Sequence, residues 1–302
     1  MVALEAFTYQ MEHNPAYRAF ASAICASPSN LEEIPFLPIQ FFKNQRIYAS
    51  EAPVEMTFKS SSTTGQNRSV HELASIDLYH QSFEKAFDAQ FPNVPIILAL
   101  LPSYLEQGES SLIYMVDQLI SRREKSGYWL QELERLPGYI GELLQKGEDV
   151  LLFGVSYALL DLAELGPFNF PSLKIMETGG MKGRRVELIR EELHEKLCRG
   201  FGVEQIHSEY GMTELLSQAY SRGRGLFVTP PWMKVLTRDT TDPLSYLPNG
   251  RTGGLNIIDL ANWYSCPFIA TDDLGRIHPN GQFEVLGRFD HSDVRGCNLL
   301  VG

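Results

Sequence analysis

The sequence predicts an α/β protein: a mainly parallel sheet flanked by helices, followed by a β-rich final part. Three observations carry this. Short apolar runs of strand length at 94–101, 149–153, 173–176 and 203–206 alternate with helix-like stretches near 71–90, 110–123, 127–146, 157–164 and 184–199, the pattern of a sheet built through helical crossovers. From about Gly225 the chain reads as strands. At 302 residues, 44% apolar and 21% charged, it has the composition of a soluble globular protein with a sizeable core. The expected organisation is an accessory helical and extended segment over 1–58, an α/β core over 59–224 and a β-rich portion over 225–302.

The accessory segment opens with Phe7, Met11, Tyr17 and Phe20 at helical intervals, which predicts an amphipathic helix. The run 34–43 follows, and Pro35 and Pro38 exclude a helix interior there. It is expected to be extended, apolar and packed.

The string 59–69, Lys-Ser-Ser-Ser-Thr-Thr-Gly-Gln-Asn-Arg-Ser, places five hydroxyl residues ahead of Gly65 and Arg68. Hydroxyls, backbone amides and a guanidinium are what wraps a polyphosphate. The G-x-x-x-x-G-K-[ST] spacing is absent, and the string reads equally as a flexible linker.

In the α/β core, Gly154-Val155-Ser156-Tyr157-Ala158 follows a strand and precedes a helix, as a nucleophile elbow would. Alanine ends it where a glycine is required, so Ser156 is read as a helix N-cap. Val186, Ile189, Leu193 and Leu197 line one face of the helix predicted over 184–199. Gly179 and Gly180, after the 173–176 strand, allow backbone to approach a flat ligand or simply make a tight turn.

The run 207–214, His-Ser-Glu-Tyr-Gly-Met-Thr-Glu, follows the 203–206 strand. Open α/β sheets bind ligands at strand ends. Thr213 offers a hydroxyl, and Glu214 suits a hard cation such as Mg²⁺; a solvated turn is the other reading. In the β-rich portion, 253–258 and 282–286 are strands, the second after an Asn280-Gly281 turn. Between and after them lie Thr271-Asp272-Asp273-Leu274-Gly275-Arg276 and Gly287-Arg288-Phe289-Asp290.

A net charge of −11 argues against a nucleic-acid-binding surface, which relies on Lys and Arg. No basic-then-apolar leader and no apolar stretch of spanning length is visible, so a cytoplasmic location is expected. Cys25, Cys198, Cys266 and Cys297 are far apart, which indicates neither a disulfide framework nor a zinc site. Cys25 and Cys198 are expected to be small buried hydrophobes.

Taken in order, the Thr-Thr-Gly string, Tyr210-Gly-x-Thr-Glu, Thr271-x-Asp-Leu-Gly-Arg and Gly287-Arg-x-Asp resemble the core motifs of the adenylate-forming superfamily over about residues 58–296. The superfamily includes acyl-CoA synthetases, firefly-type luciferases and peptide-synthetase adenylation domains. The run 34–43, the context of 179–183 and the closing Arg295-Gly296-Cys297-Asn298 look most like the LuxE-type acyl-protein synthetases of bacterial luminescence. The resemblance implies ATP- and Mg²⁺-dependent activation of a carboxylic acid, typically a fatty acid, within a nucleotide- and acyl-binding core. The acyl group would pass to a cysteine for delivery to an acyl reductase or another accepting protein.

Carried onto this sequence, Ser61, Ser62, Thr63, Thr64 and Gly65 would hold the phosphates, with Arg68 nearby. Tyr210 would stack on adenine next to Gly211, Thr213 would meet the α-phosphate and Glu214 would bind Mg²⁺. Asp273 would take the ribose hydroxyls beside Arg288. Cys297 would be the acyl acceptor, its thiol acidified by His291 and Arg295. The pattern is altered in three places: Ser61-Ser62 replaces Ser/Thr-Gly, Thr271-Asp272-Asp273 replaces Thr-Gly-Asp, and the mobile C-terminal domain with its catalytic lysine is expected to be missing. The alternatives are an acyl- or aryl-CoA ligase of the phenylacetate type and a non-catalytic nucleotide or acyl-adenylate binding module.

Overall fold

A computed structural model describes residues 2–61, 67–93, 95–102, 108–179 and 188–289. The chain opens with two helices, α1 (Val2–His13) and α2 (Pro15–Ser22). They part at Asn14, whose side chain accepts the Tyr17 amide while Pro15 takes the first helical position, where its missing N–H costs nothing. The one helix expected here is therefore two. Cys25 lies past the end of α2 and is only partly buried. The run 34–43 is extended through β1 (Leu37–Pro38), but it turns helical at α3 (Phe41–Asn44), beyond the second proline.

β2 (Met56–Lys59) and β3 (Val70–Leu73) form an antiparallel ribbon with Lys59 opposite Val70, so the hydroxyl-rich string leaves one strand and enters the other. The helix expected from residue 71 begins only at α4 (Ile76–Gln90), capped by the Ser75 hydroxyl. The next elements are β4 (Ile96–Leu100), α5 (Ser111–Ser121), β5 (Gly127–Tyr128) and α6 (Leu136–Gln145). The stretch 127–146 was expected to be wholly helical. Its first part instead pairs beside β4 and makes a 3₁₀ turn, and α6 starts where Pro137 can sit in the first turn.

β6 (Val150–Val155), α7 (Ser156–Ala163), β7 (Lys174–Thr178) and α8 (Arg190–Phe201) follow. α8 closes on Gly202 at φ +71°, a left-handed position that favours glycine, and Cys198 on it is partly buried. β8 (His207–Tyr210) is the motif itself. The strand expected at 203–206 lies four residues further on, because His207, Ser208, Glu209 and Tyr210 are buried although mostly polar. The remaining strands are β9 (Ala219–Ser221), β10 (Phe227–Val228), β11 (Met233–Arg238), β12 (Gly253–Asp259), β13 (Phe268–Ile277) and β14 (Phe283–Arg288).

One twelve-stranded mixed sheet unites all of these strands except the β2–β3 ribbon, in the order β11-β12-β13-β14-β10-β9-β8-β7-β6-β4-β5, with β1 on β13. β5, β4, β6, β7 and β8 run parallel, as the βαβ alternation requires. From β8 onward neighbours are antiparallel, except that β1 runs parallel to β13. β13 is long enough to carry β1 against Ile269–Ala270 and β14 against 273–277.

Two apolar clusters hold the layers. One packs α4–α8 onto the parallel strands, with Phe83, Phe87, Leu98, Leu152, Phe153 and Phe201 buried. The other packs α1, α2 and the 34–47 segment onto the antiparallel strands through Tyr17, Phe42, Phe227, Phe268 and Phe283. Tyr17 is fully buried and donates its hydroxyl to the Pro35 carbonyl at 2.7 Å, satisfying the one polar atom it takes inside. Tyr210, at the end of β8, joins the second cluster. The sheet therefore changes from parallel to antiparallel at β8. Among the described residues no helix is long and apolar enough to cross a membrane.

Candidate active site

A cavity of about 1170 Å³ opens beyond the carboxyl ends of β6, β7 and β8, where an open α/β sheet binds ligands. Ser61, Arg68, Gly179, Tyr210, Gly211, Thr213, Asp273 and Arg288 line it. Four separated sequence motifs thus meet at one place.

The centre of one wall is Asp273. It is 4% exposed, accepts the Tyr210 hydroxyl on Oδ2 at 2.7 Å, and accepts Arg288 Nε on Oδ1 at 3.0 Å. The Tyr210 ring packs edge-on against Phe283 and tilted against Phe227. Burial and the adjacent carboxylate hold its phenol well above the usual range, so it remains a donor. A carboxylate has about four acceptor sites, and Asp273 uses two of them. The extra carboxylate in this motif does not crowd the cavity. Successive strand residues face opposite ways, and Asp272 accepts Gln40 Nε2 at 2.6 Å, on the side of the N-terminal segment.

The loop after β8 is pinned from two directions. Asp259, fully buried, accepts the Leu216 amide (3.0 Å), the Ser217 amide (2.9 Å) and the Ser217 hydroxyl (2.6 Å). Asn262 Nδ2 donates to the Glu214 carbonyl at 2.7 Å. His71, on β3, contacts the Thr213 carbonyl through Nδ1 at 2.7 Å and Ser265 Oγ through Nε2 at 2.8 Å. A carbonyl only accepts, so Nδ1 carries the proton and the serine hydroxyl donates to Nε2. Burial pushes the His71 pKa down to about 4, which keeps this neutral tautomer at ordinary pH. Sequence reading missed His71, Asp259 and Asn262 because none belongs to a motif.

The pinned loop presents Thr213 to the cavity but sets Glu214 back. Glu214 is 6% exposed, hydrogen-bonds Ser69 and is raised in pKa by burial, and it is not among the lining residues. As folded it offers no oxygen to a cation in the cavity; serving as a Mg²⁺ ligand would require its carboxylate to leave Ser69. Among the described residues no three His, Cys, Asp or Glu side chains converge as a metal site.

The cavity is also lined by two buried carboxyls to which the motif reading gave no role, Glu177 (5% exposed) and Glu209 (9% exposed). Glu177 faces Arg190 at 3.4 Å and His194 at 3.5 Å. Glu209 accepts the Thr178 hydroxyl, and burial pushes its pKa up to about 7, with Glu177 adding to the rise. A Cβ on Gly211 would lie 2.5 Å from Glu209 Oε1, so glycine is needed there to seat that carboxyl. Ser156 is neither cap nor elbow. It is the first residue of α7, and its hydroxyl donates to the Gly179 carbonyl at 2.9 Å.

At the rim, Arg68 donates to the Ser60 carbonyl at 2.5 Å and to Glu109 at 2.7 Å, and Lys59 also pairs with Glu109. Arg68 therefore ties the hydroxyl-rich string to the segment preceding α5. Ser62, Thr63, Thr64, Gly65, Gly180 and the expected acceptor Cys297, with His291 and Arg295, lie outside the described residues.

No family model matches the chain, and no curated protein sequence matches it. Solved structures do. ATP-bound MatB from Rhodopseudomonas palustris superposes with TM-score 0.60 at 17% identity, over 79% of this chain and 49% of that one. An open conformation of 2-hydroxyisobutyryl-CoA ligase, in complex with 2-HIB-AMP and CoA, superposes with TM-score 0.65 at 13% identity, over 96% of this chain and 74% of that one. The luciferase-like enzyme of the nonluminescent Zophobas morio mealworm gives TM-score 0.56 at 15% identity, over 80% and 59%.

The chain thus has the α/β fold of these enzymes, a large mixed sheet flanked by helices, and spans about half the length of MatB. The acyl-protein synthetase subfamily expected from the 34–43 run, the 179–183 context and the 295–298 motif finds no support among them.

Proposed function

We propose that this chain activates a carboxylic acid with ATP as an acyl adenylate and passes the acyl group to a thiol. The observation that carries the reading is the convergence on one cavity of Thr213, Tyr210, Asp273 and Arg288, in a fold shared with ATP-bound MatB. The remaining acceptor sites of Asp273 suit the ribose hydroxyls, and Tyr210 is the aromatic surface for adenine. Thr213, on its pinned loop, donates toward the α-phosphate, and the hydroxyl-rich string wraps the leaving phosphates. A substrate carboxylate oxygen attacks the α-phosphorus as the bond to the bridging oxygen breaks, releasing pyrophosphate. A thiolate then attacks the acyl carbon and AMP leaves with the electron pair of the broken C–O bond. Catalysis in such chemistry comes from positioning and from donors aimed at developing phosphate charge. Mg²⁺, when bound, would supply further charge neutralisation at the phosphates.

The acceptor divides the reading. The resemblance implies Cys297, a fatty acyl group and an accepting protein partner. A CoA thiol is the second reading, favoured by the match to a CoA-bound ligase over 96% of the chain. Carboxylate-dependent ATP–pyrophosphate exchange tests the shared first step, with Asp273→Ala as control. Exchange that needs an acid and falls at least tenfold in the variant supports adenylation. ATP binding without exchange for any acid overturns it in favour of a binding module. Acyl labelling lost in Cys297→Ala, set against product formed with CoA, then separates the two acceptors.

A further inference from the structure

We infer that Glu209 and Gln218 form a subsite of the cavity that accepts hydrogen bonds from a protonated amine, so that the acid activated here is an aminocarboxylic acid and not a plain fatty acid. This rests on the cavity being the acid- and ATP-binding site proposed above, and it narrows the substrate class.

Two observations, independent of each other, point to the same missing partner. The first is Glu209. Its carboxyl sits at 9% exposure, accepts one hydroxyl hydrogen bond from Thr178, and has no cation paired with it among the described residues. The neighbouring Glu177, by contrast, has both Arg190 and His194. A buried carboxyl without a countercharge is costly, and here it faces a ligand-sized space.

The second is Gln218, which also lines the cavity and is 4% exposed. Its orientation follows from its neighbour. The single hydrogen of the Tyr79 hydroxyl goes to the Ser111 carbonyl at 2.9 Å, so Tyr79 can only accept from Gln218, with which it is hydrogen-bonded. The amide nitrogen therefore turns to Tyr79. The amide oxygen, Oε1, is left buried with no hydrogen-bond partner among the described residues.

Among the described residues the carboxyl lacks a cation and the amide oxygen lacks a donor, and both ask for the same group: positively charged, with several N–H donors. A protonated amine has three. A methyl terminus in the same place would leave both acceptors desolvated and unpaired, which is the situation that sites built for polar groups reject strongly. Leu112, Met115 and Leu193 line the cavity as well and suit the methylene stem between amine and carboxylate. Gly211 fits the same design, since any side chain there would displace Glu209.

The test pairs each amino acid with its amine-free isostere in ATP–pyrophosphate exchange: β-alanine with propanoate, 4-aminobutanoate with butanoate, 6-aminohexanoate with hexanoate. Calorimetric binding of the same compounds is measured in parallel. The expected result is at least one pair in which the amino acid exceeds its isostere by about 100-fold or more in kcat/KM. Glu209→Gln and Gln218→Leu should each shrink that ratio by tenfold or more while thermal melts show a folded protein. Alkyl acids activated as well as or better than every amino partner would overturn the amine subsite and leave adenylation standing. If no acid supports exchange, the adenylation reading fails and binding decides the subsite. Amino acids bound in preference to isosteres, with the preference lost in Glu209→Gln, would sustain it; equal or absent binding would overturn it.

Discussion

The hydroxyl of Tyr210 donates to Oδ2 of Asp273 over 2.7 Å, joining the end of β8 to the middle of β13. These strands are not neighbours; β9, β10 and β14 separate them in the sheet. The bond therefore spans the antiparallel turn of the sheet and orients the carboxylate that faces the cavity. Tyr210→Phe removes the donor and leaves Arg288 as the one other side chain hydrogen-bonded to the Asp273 carboxylate among the described residues. Losing one partner of a buried acceptor costs about 1–3 kcal/mol. Urea denaturation should show that loss, and ATP affinity should fall several-fold. Unchanged affinity would mean that Asp273 does not touch the nucleotide.

His71 predicts an acid-sensitive loop. Its folded pKa, about 4, lies below the ordinary 6.5, so between those values the unfolded chain binds more protons than the folded one. Stability should therefore be complete above pH 6.5 and decline as pH falls toward 4, by up to about 3 kcal/mol. His71→Gln should flatten that window. It should also slow adenylation by roughly ten- to a hundredfold through the displaced Thr213 carbonyl. Denaturation midpoints from pH 4 to 7 and exchange rates at pH 7.5 check the two halves separately.

Glu209 predicts the opposite slope. Its pKa rises from 4.5 to about 7 on folding, so the folded chain holds the proton more tightly. Stability is greatest below pH 4.5 and is lost as pH rises through 7, by up to about 3 kcal/mol. Glu209→Gln, which cannot ionise, should be more stable than the parent at pH 8 and nearly equal to it at pH 4.5. A melting temperature that does not respond to pH in this comparison would refute the buried state of this carboxyl and its lack of a countercharge among the described residues.

Asp259→Asn tests the clamp on the loop. Asp259 accepts four hydrogen bonds from Leu216, Ser217 and Ala261, and an amide would turn one accepting oxygen into a donor facing donors. The expected loss is about 3 kcal/mol or more, measurable as a lower denaturation midpoint. A substitution tolerated within 0.5 kcal/mol would show that the loop relaxes freely.

The fold was legible where periodicity and burial agree. β4 and β6 are apolar along their length, β7 has an apolar centre at Ile175 and Met176, and α5, α7 and α8 present spaced apolar faces. β8 was misplaced because its residues are polar and buried together, a combination that hydrophobic patterning assigns to a turn. Tyr210, Thr213, Asp273 and Arg288 were found by motif and do meet. Glu214 was found too, but its carboxyl turns to Ser69, an orientation decided by packing and invisible to spacing. Asp272 looked like an intruder in its motif until strand alternation sent it to Gln40. His71 and Asp259 act on the 213–217 loop from 142 and 42 residues away, and Glu209 matters only because of the cavity it enters. Contacts at such separations leave no local trace in one sequence.

The pairing of β1 with β13 has a consequence during synthesis. Residues 37 and 38 leave the ribosome 232 residues ahead of their partners at 269 and 270 (269 − 37). At roughly 5–20 residues per second, the wait is on the order of ten to fifty seconds. Throughout it, Ile34, Phe36, Leu37 and Phe42, all destined for the interior, have no sheet to cover them. A segment translated well ahead of its partner strand is thus housed only after that strand appears. In the cell, a slow ribosome or a scarcity of holding chaperones should be felt at this segment before any other.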